Sequence, residues 1–220
     1  MSESLLSIKT RLSSVRSIGK MTKAMKLIAT ARYTKWKSLW DGNKPYEQAM
    51  RESLLLCLQR VDFSHAKEIP HCMMQNNSER KLYIFVTSTL GLCGAFNHNL
   101  FKFYDSVVSP EDDVIFIGEK GYRHYASRQH KAYTNFMHIT SSMTYDDANE
   151  FRHWLDTLYR EGQYKSVNVI YTKFKNSISM EVVNKQILPL TKDEIPPVNL
   201  ENIEPMFEPD ATQVVNLIAP

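Results

Sequence analysis

A chain of 220 residues, 43% hydrophobic and 23% charged, is long enough for one or two domains with a real core. It has no apolar run of the roughly 18 residues that cross a bilayer, and no compact apolar run behind its first cations of the kind a secretory signal carries. Three cysteines without a C-x-x-C pair (Cys57, Cys72, Cys93) fit a reducing compartment, not a disulfide scaffold.

The net charge of +3 conceals an asymmetry: residues 1–40 hold nine Lys and Arg against one acid, and the remainder holds 18 basic and 23 acidic residues. Such an arm calls for an anionic partner, whether nucleic acid, a membrane surface or an acidic protein surface. Its apolar residues recur at Leu5, Ile8, Leu12, Val15, Ile18, Met21, Met25 and Ile28, in steps of three and four that predict one face of a long helix. The consecutive three-residue steps at Val15, Ile18 and Met21 act as a stammer, which overwinds a coiled coil locally. Gly42 and Pro45 predict a break or kink, after which Tyr46, Met50, Leu54, Leu55, Leu58 and Val61 resume the helical spacing.

A solvated helix face mixes signs, whereas this one is almost purely cationic, which favours partner binding. The eight seam residues, at about 1.5–3 kcal/mol each when fully buried, represent on the order of 10 kcal/mol of burial that needs a partner helix. Nucleic acid is not expected, because aromatic residues interleave with the cations only at the far end, at Tyr33, Trp36 and Trp40.

Beyond a polar loop at 62–80 the pattern changes. Leu82 to Thr87 predicts a strand, Gly91-Leu92-Cys93-Gly94 a turn, and Ala95 to Val108 a helix, the opening unit of an α/β sheet. Val114 to Ile117, Gly118-Glu119-Lys120-Gly121 and a short helix through Ser127 repeat it. Tyr133 to Ile139 predicts a third strand, and Asp146 or Asp147 caps a helix to about Tyr159 that Gly162 closes. Val167 to Phe174 and Ile178 to Leu188, joined at Asn176-Ser177, form a hairpin that makes the sheet mixed. Pro189, Pro196, Pro197, Pro205 and Pro209 punctuate an acidic linker, and Asp210 caps a last apolar helix.

Candidate chemistry is sparse. Neither glycine turn has the G-x-G-x-x-G or G-x-x-x-x-G-K-[ST] spacing, so both are read as structural turns, Gly91, Leu92, Cys93 and Gly94 foremost. Cys93 is read as a small packed side chain. The seven histidines show no metal-ligand spacing, and the adjacent acids serve as caps and turns. No catalytic residue, cofactor or metal is expected. A nucleotide-binding α/β module and a nucleic-acid-binding helix are the rival readings.

Several segments together resemble the gamma subunit of rotary F-type ATP synthases: Lys20-Met21-Thr22-Lys23-Ala24-Met25-Lys26-Leu27-Ile28-Ala29-Thr30-Ala31-Arg32-Tyr33, then Lys44-Pro45-Tyr46, Thr87-Ser88 ahead of Gly91 to Gly94, Gly118 to Gly121, Thr172 to Asn176, Gln186 to Leu190, and Glu208-Pro209-Asp210. The resemblance implies an α/β fold in which a long amino-terminal coiled-coil helix (1–61) carries a Rossmann-like mixed-sheet domain (80–190), followed by a Pro-rich linker and the start of a terminal helix (191–220).

It further implies a non-catalytic rotor that couples proton or sodium flow to ATP synthesis in the beta subunits. The implied partners are the alpha and beta subunits of the catalytic hexamer, epsilon or delta, and the membrane c-ring. Its place would be peripheral on the cytoplasmic face of a bacterial plasma membrane, or alternatively on the matrix face of the mitochondrial inner membrane. Lys20, Lys23, Met25, Lys26, Arg32 and Lys35 are the positions carried over as the contact with the acidic lever of beta. The sequence departs from the family at Gly19, where glutamine is usual, and at Thr89-Leu90, which replace Asp-Arg. The family's carboxy-terminal helix is also absent, for which a truncated reading frame, a split partner chain or a divergent protein are the expected explanations.

Overall fold

The computed structural model describes residues 5–60, 71–128, 131–139, 143–176, 179–190, 206–208 and 213–215. The chain divides into two compact units between Ser53 and Leu54.

The first unit is helical from Leu5 onward, the greater part of α1 (Leu5–Arg60). No residue leaves the helix at Gly42 or Pro45, so the expected break does not occur. Proline there removes only the N–H that would bond the Asp41 carbonyl, and on an exposed helix water takes that carbonyl. The Asp41 side chain meanwhile pairs with Lys37 one turn earlier and lies 3.8 Å from Lys44, while Arg51 reaches Glu47 at 3.4 Å beyond the proline. Every residue from Leu5 to Ser53 is exposed.

In the second unit the last turns of α1 change character. Leu55 is buried, and Cys57 and Leu58 form a buried cluster with Cys72 and Val215, against which Leu54, Phe207 and Leu190 also pack. Burial raises both thiols, Cys72 to about 11, so both stay protonated packing groups.

The body is a five-stranded sheet of β1 (Lys81–Val86), β2 (Asp113–Ile117), β3 (Lys131–Tyr133), β4 (Ser166–Phe174) and β5 (Met180–Leu188), in the order β3-β2-β1-β4-β5. Four strands are parallel, and β5 pairs antiparallel to β4. In chain order, α2 (Phe96–Val107) links β1 to β2, α3 (Glu119–Tyr125) links β2 to β3, and α4 (Tyr145–Arg160) returns to β4.

The period of two in β1 sorts the core. Leu82 and Ile84 pack with Leu155 and Tyr159 of α4, whereas Tyr83 and Phe85 pack with Leu100 and Tyr104 of α2 and Tyr125 of α3. Strands covered on both faces explain why β1 and β2 read as unbroken apolar runs.

Two expectations need correcting here. The third strand ends at Tyr133, not Ile139, because residues 134–139 close consecutive tight turns, Thr134 O to Met137 N and Phe136 O to Ile139 N, both 3.0 Å. The N-cap of α4 is Thr144, not an aspartate. Its hydroxyl accepts the Asp147 N–H at 3.2 Å while the Asp147 carboxylate accepts the Thr144 N–H at 2.7 Å, a reciprocal capping box. The polar loop begins its described part with a single 3-10 turn, His71–Met73. Ser177 and Ile178 at the hairpin, most of the Pro-rich linker and the Asp210 cap lie outside the described residues; of the last helix, residues 213–215 are helical.

Candidate functional site

In an open parallel sheet the place to look for a ligand is beyond the carboxyl ends of the strands, where the strand order reverses. Here that point lies between β1 and β4, and the Gly91–Gly94 turn follows β1. Leu92 and Gly94 adopt φ of 60° and 59°. Glycine accepts that conformation freely, whereas leucine is strained in it.

The turn is held by Asn97, which the sequence reading overlooked. Its side chain accepts the Ser88 N–H at 3.2 Å and donates to the Ser88 hydroxyl at 2.7 Å and to Cys93 Sγ at 3.1 Å. An amide side chain in the first turn of the helix after a glycine turn was the available signal. Cys93 is exposed, not packed as expected.

The second turn is buttressed from behind. Thr87 Oγ1 donates to the carbonyls of Ile117 and Gly118 and accepts the Gly121 N–H at 2.9 Å. Two glycines that resembled a phosphate loop are thus explained by close packing of β1 on α3. His138 and His153 share a cleft of about 500 Å³ with Asp147, Glu150 and Trp154, although they have no ligand spacing in sequence. Among the described residues no group of three or more His, Cys, Asp or Glu is placed to hold a metal ion, and no described helix is long and apolar enough to cross a membrane.

The arm carries the other candidate. At about 100° and 1.5 Å per residue, Lys26, Lys23 and Lys20 fan across about 120° of the helix, and Lys35, Arg32 and Met25 occupy the side beyond. The six positions therefore spread over roughly 260° of circumference and about 22 Å of axis, too far round to meet one flat partner together.

Lys20 and Lys23 instead join Lys9 and Arg16, which fall within about 60° of them, in a basic stripe roughly 21 Å long. It lies roughly opposite the seam of Ile18, Met21, Met25 and Ile28. Among the described residues no ion pair involves Lys20, Lys23, Lys26 or Arg32. The seam itself is open, from Ile8 at 47% exposed to Leu5 at 78%.

An apolar seam and an opposed cationic stripe exposed on one helix mark the arm as an interaction surface of an assembly subunit, with a doubly wound α/β body. Comparison with known proteins specifies the assembly. A family model described as ATP synthase matches residues 4–220. The ATP synthase gamma chain of Ureaplasma urealyticum is 32% identical over 225 residues, covering 99% of this chain and 77% of the relative. That of Clostridium acetobutylicum is 30% identical over 210 residues, covering 94% of this chain and 71% of the relative. Among solved structures, a chain of the Tetrahymena thermophila mitochondrial ATP synthase central stalk and c-ring matches with a TM-score of 0.52 and 19% identity, over 90% of this chain and 92% of that one, a likeness of fold. The chain belongs to the ATP synthase gamma-chain family.

Proposed function

We propose that this chain is a central-stalk rotor subunit of a proton- or sodium-translocating F-type ATP synthase. In this reading it is not itself catalytic, and it couples ion-driven rotation to conformational change in the beta subunits. The observation that carries the reading is the family match, which runs through both the arm and the body, residues 4–220.

The physical chemistry agrees with it. A rotor needs a stiff element that can be turned from one end, and α1 is helical from Leu5 to Arg60, with Cys57 and Leu58 buried near its end. It also needs a surface that differs around its circumference, so that turning presents each surrounding subunit with a changing face. The basic stripe and the apolar seam, on opposite sides of one helix, supply that asymmetry.

The partners in this reading are the alpha and beta subunits, epsilon or delta, and the c-ring. The complex sits at a membrane, with this subunit on the cytoplasmic face of a bacterial plasma membrane. Lys20, Lys23 and Lys26 form the contact with the acidic lever of beta on one side of the turning helix, and Met25, Arg32 and Lys35 follow as it rotates past.

Co-purification of the tagged full chain with alpha and beta subunits, followed by rotation of a bead on the immobilised complex during ATP hydrolysis, tests this. A chain recovered without catalytic subunits, or a complex that hydrolyses ATP identically with and without it, would refute it.

A further inference from the structure

The cleft between α4 and the turns at 134–139 has no part in the rotor reading. On α4, Asp147, Glu150, Trp154 and Thr157 follow one another in steps of three, four and three, which places them within about 80° of the helix circumference. They line the cleft from the helix, and buried Phe136 and Ile139 line it from the turns. Its volume of about 500 Å³ is that of a small-molecule site. The aromatic floor is fixed. Trp154 lies 5.1 Å from both the Phe136 and the Tyr133 ring centroids, and Phe136 meets Phe151 edge-on at 4.9 Å. Rings already held by their neighbours lose little freedom when a ligand arrives.

The polar groups around that floor are acidic and available. Among the described residues the Glu150 carboxylate has no hydrogen bond or ion pair, and the Trp154 indole N–H and the Asn135 amide have no hydrogen-bond partner. Thr144 donates twice to Asp147 Oδ2, both at 2.7 Å, and Oδ1 takes neither bond. No described Lys or Arg lines the cleft. Arg152 leaves α4 about 180° from the middle of the stripe and donates to His153 Nε2 at 3.0 Å.

Carboxylates beside an indole ring, with no resident cation, are complementary to an organic cation, through charge-assisted N–H to carboxylate bonds and attraction of the cation by the ring. We propose that this cleft binds a guanidinium or ammonium group carried on an apolar or planar stem, with Glu150 pairing the head and Trp154 and Phe136 taking the stem. A free amine or guanidine offers that chemistry, and so does an arginine or lysine side chain of another protein. An anion would meet Asp147 and Glu150 with no cation to offset them. A bare metal ion would lack a set of three His, Cys, Asp or Glu ligands among the described residues. A neutral apolar ligand would cover the Glu150 charge without pairing it.

The test uses the full chain carrying Trp36→Phe/Trp40→Phe, so that emission reports only Trp154. Benzamidine stands for the free cation, acetyl-Gly-Arg-Gly-amide for the side chain of a protein, and benzyl alcohol for a neutral ligand. One or both cations change the Trp154 emission saturably, with Kd on the order of 1 mM, and the tighter of the two shows which source the cleft suits. Glu150→Gln, at an exposed helical position where glutamine is as good a helix former, weakens that binding about tenfold. Unchanged helix content by circular dichroism excludes unfolding of the variant.

Three results overturn the proposal: no saturation by either cation up to about 20 mM, equal affinity of Glu150→Gln and the parent, or benzyl alcohol bound as tightly as benzamidine, which would make the cleft merely apolar. The cleft lies wholly in the α/β body, so each of these outcomes leaves the rotor reading untouched.

Discussion

Replacing Gly118 by alanine tests the junction that sets the second turn at the sheet's carboxyl edge. Gly118 has φ of 88°, where a side chain costs about 1–2 kcal/mol through the Cβ–carbonyl clash alone. A Cβ there would stand 2.2 Å from the Thr87 carbonyl oxygen and 2.8 Å from its carbon, an overlap with backbone that no rotamer relieves.

Thr87 cannot withdraw freely, because its N–H donates to Ile117 O at 2.8 Å and its hydroxyl accepts the Gly121 N–H. Overpacking of this kind adds about 1–3 kcal/mol, for a total of about 2–5 kcal/mol, a large share of the roughly 5–15 kcal/mol by which domains are stable. Gly121→Ala meets only side-chain atoms closely, Thr87 Cγ2 at 2.8 Å and Phe85 Cδ1 at 3.1 Å, and carries no positive φ, so it costs about 1–3 kcal/mol. Urea unfolding followed by near-ultraviolet circular dichroism, dominated by the buried rings of the tyrosine-rich body over the exposed rings of the long helix, gives both midpoints. If Gly118→Ala lies within about 0.5 kcal/mol of the parent, or is milder than Gly121→Ala, the close-approach explanation of these glycines is wrong.

Tyr164→Phe removes the hydroxyl that donates to the buried Asp113 at 2.6 Å and lies 2.8 Å from the Tyr133 hydroxyl, and is expected to cost about 1–3 kcal/mol in the same assay. Asp147→Ala removes the capping-box carboxylate, which its bonds from Thr144 hold below the usual carboxylate range. Because that folded-state value is depressed, the cap's contribution is complete above the ordinary carboxylate pKa of about 3.9 and fades as pH falls through the lowered value. The difference in Tm between parent and variant should therefore shrink toward pH 2, and a constant difference would contradict this. Gly19→Ala, at an exposed helical site with nothing within 4 Å of the added carbon, should stabilise the isolated arm by roughly 0.5–1 kcal/mol, read from the thermal melt at 222 nm. Lys20→Glu/Lys23→Glu should reduce ATP-driven rotation torque more than Lys9→Glu/Arg16→Glu, whereas equal losses would mean the whole stripe shares one contact.

The body was legible because its strands and helices are short, strongly periodic and separated by glycine. Leu82 to Thr87 differs from β1 by one residue at each end, and the hairpin was found with its parallel partner. What sequence missed depends on pairs distant along the chain. Thr144 was passed over because two aspartates follow it, and either can cap; only the geometry shows the hydroxyl and Asp147 working together. Thr87 acts through side-chain bonds to partners up to 34 residues away, which no local pattern encodes, whereas Asn97 bonds Ser88 and Cys93 within nine residues and leaves only the local signal of an amide after a glycine turn. The expected third strand, Tyr133 to Ile139, shares only Tyr133 with β3 because apolar Phe136 and Ile139 pull the pattern downstream; they are buried in turns instead, with Phe136 against Trp154 and Phe151.

The arm was legible for the opposite reason, and its contacts were not. Periodicity identifies a helix without saying which of its faces meet which partner, because residues chosen by resemblance need not lie on one side. Here the stammer decides the matter. The two three-residue steps at Val15, Ile18 and Met21 each turn the seam back by about 60°, carrying it from beside Lys9 and Arg16 to the side away from Lys20 and Lys23. A helix with an unbroken heptad would keep its cations at a nearly fixed angle to its packed face. This one swings them outward over residues 16–23, where the cationic charge is dense and among the described residues Lys20 and Lys23 have no ion pair. If that offset is what presents charge to surrounding subunits, restoring a regular heptad by inserting one residue between Val15 and Ile18 would leave the seam packed and the helix intact but misdirect the stripe. Assembly would then survive while the coupling of rotation to hydrolysis is lost. A variant that rotates normally would mean that the stripe's direction is irrelevant and only its charge matters.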